Sequence, residues 1–220
     1  MYFEHVIFWA RYIDDLFWLW KGPRNILEEY IVVLNSNSLN LTFSHVINTT
    51  SINFRDLEIK VCNGRLLSTL YRKPTAGNTI LYGSSCHPNN LKWNIPFGEL
   101  LRAKRNCTEE ADFQKVATNM LNRFSQRGYS KRTLTQSQLK IAEKSRCNLL
   151  KDNLPIKQQS ETVRFITTFS ANSSQVRKIM NQYWGILQGD TIIGSSLTPY
   201  PQITHRRSTN LKDLLVQSHC

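Results

Sequence analysis

Phe8-Trp-Ala-Arg-Tyr-Ile-Asp-Asp-Leu-Phe-Trp-Leu-Trp20 places two adjacent carboxylates, Asp14 and Asp15, inside a run of mostly apolar and aromatic residues. The flanking residues predict two buried strands, and the Asp-Asp pair is typical of a tight turn between them. Two charges at the tip of an apolar hairpin are unfavourable unless something compensates them. A divalent cation would do so, because Mg²⁺ takes oxygen ligands, although an Asp-Asp turn without a metal is the commoner case.

The positive charge of the chain is concentrated in its middle third. The 220 residues include 28 Lys and Arg against 16 Asp and Glu, a net charge of +12. Residues 71–151 hold 15 basic and 5 acidic side chains, net +10, whereas residues 1–70 hold 6 and 7, net −1. This concentration favours a nucleic-acid partner over a merely solvated face.

Residues 1–74 predict a small mixed sheet with one helix. Apolar residues recur at helical spacing over 24–35, and strand-like runs follow at 41–47 and 52–61. Asn63-Gly64 is a strong hairpin signal and leads to a third strand over 65–72. The whole chain is therefore predicted to be an α+β protein that begins with this sheet.

Residues 75–151 predict a basic bundle of three helices. The first has Pro96 at its first position, and the second is amphipathic from Phe113 to Phe124 and ends at Gly128. The third covers about 131–149, with Leu134 and Leu139 on its apolar face. Such a bundle is typical of a helix-turn-helix-like domain or of a polymerase thumb.

The C-terminal connector region, residues 152–220, predicts a polar linker, a strand over 162–169, a helix over 172–187 and a short strand from 203. Trp93 and Trp184 are predicted to lie in the core rather than to stack on bases. Five widely spaced cysteines predict reduced thiols and an intracellular protein, nuclear or cytoplasmic. Charged residues interrupt the N-terminal apolar run, so no membrane association is expected.

Several stretches together resemble the Penelope-like retroelement reverse transcriptases. They occur in the family's order and cover nearly the whole chain: Arg11-Tyr-Ile-Asp-Asp-Leu-Phe, Phe54-Arg-Asp-Leu-Glu-Ile, Leu70-Tyr-Arg-Lys-Pro-Thr-Ala-Gly-Asn-Thr, His87-Pro, Asn94-Ile-Pro, Leu101-Arg, Arg105-Asn-Cys, Arg123-Phe, Arg127-Gly-Tyr and Asn210-Leu-Lys-Asp-Leu-Leu-Val. In that family the middle helical segment also resembles the animal helix-turn-helix domain.

The resemblance implies a right-hand polymerase with a partial palm over 1–74 and a basic thumb over 75–151. Asp14 and Asp15 would be the catalytic pair, with Asp14 binding Mg²⁺ or Mn²⁺, and Tyr12 would lie near an RNA template and DNA primer. The hairpin over 54–73 would hold the primer end.

One departure from the family pattern limits the expected activity. Two-metal phosphoryl transfer needs carboxylates on both sides of the metal pair, and the family supplies another from a strand upstream of the Asp-Asp hairpin. Met1 opens directly on that hairpin. We therefore expect a fragment that binds nucleic acid, does not polymerise alone and possesses no metal by itself.

Two alternatives to a polymerase fragment stay open on the residues alone. Residues 75–150 would suffice for a non-enzymatic helix-turn-helix module. A structural protein with a solvated basic face is the other alternative.

A polymerase fragment or a helix-turn-helix module would contact a nucleic-acid duplex or template–primer. The side chains expected to make these contacts are Tyr12, Arg72, Lys73, Arg102, Lys104, Arg105, Arg123, Arg127, Lys131 and Arg132.

Overall fold

The computed structural model describes residues 2–151 and 164–206. The chain divides into two compact units. The first contains residues 1–76 and 106–116, and the second contains residues 77–105 and those from 117 onward. The division into 1–74, 75–151 and 152–220 expected from the sequence remains a prediction. The polar linker predicted after residue 151 lies outside the described residues.

A short 3₁₀ helix, Phe3–His5, precedes a hairpin of strands β1 (Val6–Tyr12) and β2 (Asp15–Trp20). The strands pair antiparallel, with Tyr12 opposite Asp15, which confirms the predicted hairpin. The turn is Ile13-Asp14 rather than Asp-Asp, because Asp15 already pairs in β2. Ile13 has a φ of 56°, an unusual value for a β-branched residue.

The strands of this hairpin are not both buried, contrary to the sequence expectation. Ile7, Phe8 and Trp9 in β1 are exposed by 59%, 53% and 58%, whereas β2 is half-buried along most of its length. Aromatic contacts cover β2 from one side, since the Trp20 ring stacks on Tyr30 at 6.1 Å between centroids. Tyr30 belongs to helix α1 (Arg24–Asn35), whose bounds agree with the predicted helix.

The segment after α1 is not a strand, so the strand predicted at 41–47 is wrong. The side-chain amides of Asn35, the last residue of α1, and of Asn37 form backbone hydrogen bonds that a neighbouring strand would otherwise form. Asn35 accepts from the Phe43 N–H at 2.6 Å and donates to the Phe43 carbonyl at 3.3 Å. Asn37 accepts from Leu41 at 3.1 Å and donates to its carbonyl at 2.7 Å. Asn side chains readily replace backbone partners in this way.

An antiparallel sheet follows in the order β3-β4-β5, with bounds Ser51–Phe54, Leu57–Cys62 and Arg65–Leu70. The single strand predicted over 52–61 is therefore wrong, because Arg55 and Asp56 form a turn inside it. Arg55 has a φ of 60°. The Asn63-Gly64 turn is confirmed, and its φ values of 49° and 72° are those of a type I′ hairpin turn.

Three helices form a bundle: α2 (Asn89–Asn106), α3 (Glu110–Gln126) and α4 (Lys131–Ala142). Pro96 lies inside α2 rather than at its start. Its ring is fully buried, so packing offsets the missing N–H donor. The predicted third helix breaks after α4, because Ser145 caps a separate short helix, α5 (Arg146–Leu149), by accepting from the Asn148 N–H.

The last described elements are β6 (Arg164–Thr168), α6 (Ser173–Gln188) and β7 (Gln202–Arg206). β6 and β7 pair in parallel, which completes a mixed α+β fold as predicted. Trp184 is buried and donates its indole N–H to the Thr198 carbonyl at 2.9 Å, as expected for a core residue. Trp93 is instead 59% exposed, so its prediction was wrong. No helix in the described ranges is long and apolar enough to cross a membrane.

Candidate nucleic-acid interface

The turn between α3 and α4 is a Schellman motif. The Tyr129 N–H donates to the Phe124 carbonyl at 3.2 Å, and the Gly128 N–H donates to the Ser125 carbonyl at 3.0 Å. Gly128 has a φ of 77°, which glycine adopts without a steric penalty. The Phe124 and Tyr129 rings meet edge to face at 5.1 Å, which supplies the hydrophobic contact that accompanies this motif. Gly128 thus ends α3 where the sequence predicted.

Ser130 starts the next helix directly after this turn. Its hydroxyl accepts from the Thr133 N–H at 3.2 Å, as expected of an N-cap. Four residues, 127–130, therefore separate α3 from α4. Two helices joined by a short glycine-containing turn are the arrangement of a helix-turn-helix, in which the second helix is the one that enters the major groove.

The segment at 77–83 packs over the turn and holds it with polar contacts. The Gly83 N–H donates to the Arg127 carbonyl at 2.8 Å. Asn78 donates to the Arg123 carbonyl at 2.9 Å and accepts from the Arg123 guanidinium at 3.3 Å. The Arg127 guanidinium lies 4.2 Å from the Tyr82 ring centroid, within cation–π range. Arg123 and Arg127, expected to contact nucleic acid, thus both help to hold this turn.

The core beneath the turn consists of Phe124, Tyr129 and Leu134. Ile80 and Ile95 pack against this cluster from outside the helix pair. The Tyr129 hydroxyl is buried without a hydrogen-bond partner among the described residues. Burial raises the pKa of Tyr129 above its ordinary value, because the phenolate would lose its hydration.

Two of the predicted contact residues, Lys131 and Arg132, lie at the start of α4. Lys131 and Arg132 are exposed, and neither forms an ion pair within the described part of the chain. A helix that follows a helix-turn-helix turn presents its first residues to nucleic acid. These two cations therefore lie where phosphate or base contacts are made in that arrangement.

Three more predicted cations, Arg102, Lys104 and Arg105, lie in the last turns of α2. Arg102 is near Glu99, with 3.7 Å between Nη1 and Oε2. The Arg146 Nε donates to the Arg105 carbonyl at 3.1 Å, and this contact adds a fourth cation to the same end of the helix. Arg146 was not among the predicted contact residues.

The other predicted site residues lie in the first unit. Asp14 is exposed at the hairpin turn, and Asp15 forms an ion pair with Arg55 at 3.1 Å. The Arg55 guanidinium also lies 3.9 Å from the Tyr12 ring centroid. Sequence reasoning missed Arg55, although the broken alternation of apolar residues near Asp56 was the signal for its turn.

The carboxylate pair does not form a complete metal site among the described residues. No three His, Cys, Asp or Glu side chains cluster there in a way that could hold a metal ion. One of the two carboxylates, Asp15, is engaged by Arg55.

Arg72 and Lys73, the remaining predicted contacts, form a local turn after β5. The Arg72 guanidinium donates to the Ala76 carbonyl at 3.0 Å, and the Ala76 N–H donates to the Lys73 carbonyl at 2.9 Å. Both side chains are exposed. The predicted contacts are thus divided between the two units, with Tyr12, Arg72 and Lys73 in the first.

Comparison with known proteins identifies the helical bundle. Residues 79–140 match the family model of the animal helix-turn-helix domain, a range that covers α2, α3 and nearly all of α4. No curated protein and no solved structure matches the chain. Nothing in these comparisons identifies a reverse transcriptase. The segment at 79–140 is therefore an animal helix-turn-helix domain, as its α3–turn–α4 geometry indicates.

Proposed function

We propose that this protein binds nucleic acid through its helix-turn-helix domain and has no catalytic role of its own. The observation that carries the proposal is the capped start of α4, where Lys131 and Arg132 are exposed without an ion-pair partner among the described residues. Phosphate contacts from these side chains would position the helix on a duplex. A nucleic-acid partner would place the protein in the nucleus or the cytoplasm.

The exposed residues after this pair are chemically able to read base edges. Gln136 and Gln138 are exposed on α4, and an amide side chain both donates and accepts hydrogen bonds. Gln is a common partner of adenine in the major groove. The two cations would therefore supply affinity, and the amides would supply any sequence preference.

Replacement of both cations, Lys131→Ala with Arg132→Ala, is expected to weaken duplex binding roughly tenfold near physiological salt. The slope of log K against log salt should become less negative by about 2, because two phosphate contacts no longer release counterions. Fluorescence anisotropy of a labelled duplex at two or more salt concentrations measures both quantities.

The matched control is Arg177→Ala with Lys178→Ala, an adjacent exposed basic pair on α6. It removes the same charge from a helix outside the domain. An equal loss in both double variants would mean that only net charge matters and would contradict an α4 interface. Absence of duplex binding by the wild-type protein at low salt would overturn the proposal altogether.

A second candidate is that residues 1–74 form the palm portion of a retroelement RNA-directed DNA polymerase and are catalytic only as part of a longer chain. The supporting observation is the β1–β2 turn, which exposes Asp14 and brings Tyr12 and Asp15 together around Arg55. In that assignment Asp14 and Asp15 would share Mg²⁺ or Mn²⁺ with a carboxylate from elsewhere, since two carboxylates alone do not hold a metal pair.

This second candidate predicts binding without synthesis. Purified protein is expected to extend no primer on an RNA template, whereas Tyr12→Ala should weaken its binding of an RNA–DNA hybrid several-fold, on the order of one lost stacking contact. Tyr200→Ala, which removes a tyrosine exposed by 76% in the second unit, serves as the control. Primer extension that disappears in Asp14→Asn would show polymerase activity, and unchanged hybrid binding by Tyr12→Ala would count against the palm assignment.

A further inference from the structure

A groove of about 510 Å³ lies between α2 and α4, and its lining includes Ser130 and Arg132 at the start of α4. One wall is the α2 face formed by Asn90, Trp93, Asn94 and Phe97, and the other is the α4 face formed by Thr133, Gln136, Ser137 and Lys140. Both sets follow the i, i+3, i+4, i+7 spacing of a single helix face. The volume lies within the range of small-ligand sites.

The aromatic wall offers a flat apolar surface to a ligand. Trp93 is 59% exposed, although tryptophan side chains are highly buried on average. Phe97 follows it one helical turn later and is half-buried. Lys140 reaches across from α4 to place its Nζ 6.0 Å from the Phe97 ring centroid. The groove therefore combines an accessible ring with a nearby positive charge.

The charged groups of the groove are all positive. Arg132 and Lys140 line it, and no carboxylate from residues 2–151 or 164–206 does. The amides of Asn94 and Gln136 supply both donors and acceptors. Aromatic stacking, cations and amides are the combination by which proteins hold the unpaired bases and phosphates of a single strand.

We propose that this groove binds an unpaired nucleotide of single-stranded nucleic acid, with its base stacked on Trp93 and its phosphate near Lys140 and Arg132. The inference rests on the proposed nucleic-acid binding and adds single-stranded nucleic acid as a second ligand beside the duplex. A base inside a duplex is stacked between its neighbours and cannot offer its face to Trp93. The groove would therefore recognise a single-stranded segment or an overhang next to a duplex held by α4.

The test compares a labelled single-stranded oligonucleotide with a blunt duplex, both measured by anisotropy with the full chain. Trp93→Ala is expected to weaken single-strand binding about tenfold, the loss of roughly one stacked base, and to leave duplex binding unchanged. Trp93→Phe should keep most of the affinity because it retains a ring. Lys140→Ala should weaken single-strand binding independently of the ring.

Tyr183→Ala, which removes an aromatic residue exposed by 53% on α6, is the matched control. Unchanged single-strand binding by Trp93→Ala, with duplex binding intact, would overturn this inference alone. Failure of the wild type to bind the duplex would instead overturn the proposed function. Trp93-dependent binding of a labelled acidic peptide, together with no single-strand binding by the wild type, would assign the groove to a protein ligand and contradict the proposal.

Discussion

Phe124→Ala is expected to lower the free energy of unfolding by about 3–5 kcal/mol. Phe124 is fully buried, and its ring contacts Tyr129 at 5.1 Å across the turn. Truncation would leave a cavity below the helix-turn-helix turn and remove the apolar contact of the Schellman motif. Urea unfolding followed by circular dichroism measures the loss, with separate transitions fitted if the two units unfold separately.

Leu139→Ala on α4 is the control for this experiment. Leu139 is 62% exposed, although the sequence pattern placed it on the apolar face with Leu134. An exposed substitution of this kind should change the free energy of unfolding by no more than about 0.5 kcal/mol. Equal losses in the two variants would contradict the packing of α4 described above.

Gly83→Ala is expected to destabilise the helix-turn-helix domain by about 1–3 kcal/mol. A Cβ at this position would lie 2.6 Å from the Gly128 carbonyl oxygen and 2.9 Å from its carbon. These are backbone atoms of the turn, so no side chain can rotate away to relieve the clash. The hydrogen bond from Gly83 to Arg127 would lengthen as the segment moved off the turn.

Gly98→Ala is the matched control, and we expect it to raise rather than lower the free energy of unfolding. Gly98 lies in α2, and a Cβ there would meet no atom within 4 Å. Alanine in the helix should therefore raise the free energy of unfolding by up to about 1 kcal/mol. Thermal melting compares the melting temperature of each variant with that of the wild type. An unchanged melting temperature in Gly83→Ala would contradict the close approach at the turn.

Local patterns were sufficient to predict several elements of this fold. The helical spacing over 24–35, the Asn63-Gly64 turn and the glycine after α3 each depend on neighbouring residues, and all three are confirmed. The α+β class follows from such elements. These signals are local because turn chemistry and amphipathic periodicity are properties of a few consecutive residues.

The errors arise where particular side-chain contacts, rather than composition and periodicity, decide the structure. Residues 41–47 have strand-like composition, but the amides of Asn35 and Asn37 bond the backbone of Phe43 and Leu41. Pro96 looked like a helix start, but burial of its ring allows it inside α2. Trp93 looked like core, but the helix that could cover it lies across a groove. Apolar periodicity and composition do not encode these contacts, whether the partners are near in sequence, as for Asn37 and Leu41, or far apart, as across the groove.

The candidate site was predictable in composition but not in arrangement. The basic middle third indicates a nucleic-acid partner, and Lys131 and Arg132 belong to it. The contact of Arg55 with Tyr12 and Asp15 joins residues forty or more positions apart and has no local signature. Likewise, the roles of Arg123 and Arg127 in holding the turn depend on the segment at 77–83.

The asparagine contacts after α1 have a consequence for local motion. Asn35 bonds both the Ile31 carbonyl of its own helix and the backbone of Phe43. Fraying of the last turn of α1 would therefore release the backbone of Phe43 in the same step, because Asn35 holds both. We expect the helix end and Phe43 to open as one unit, so that their amide hydrogens exchange with solvent through a shared fluctuation.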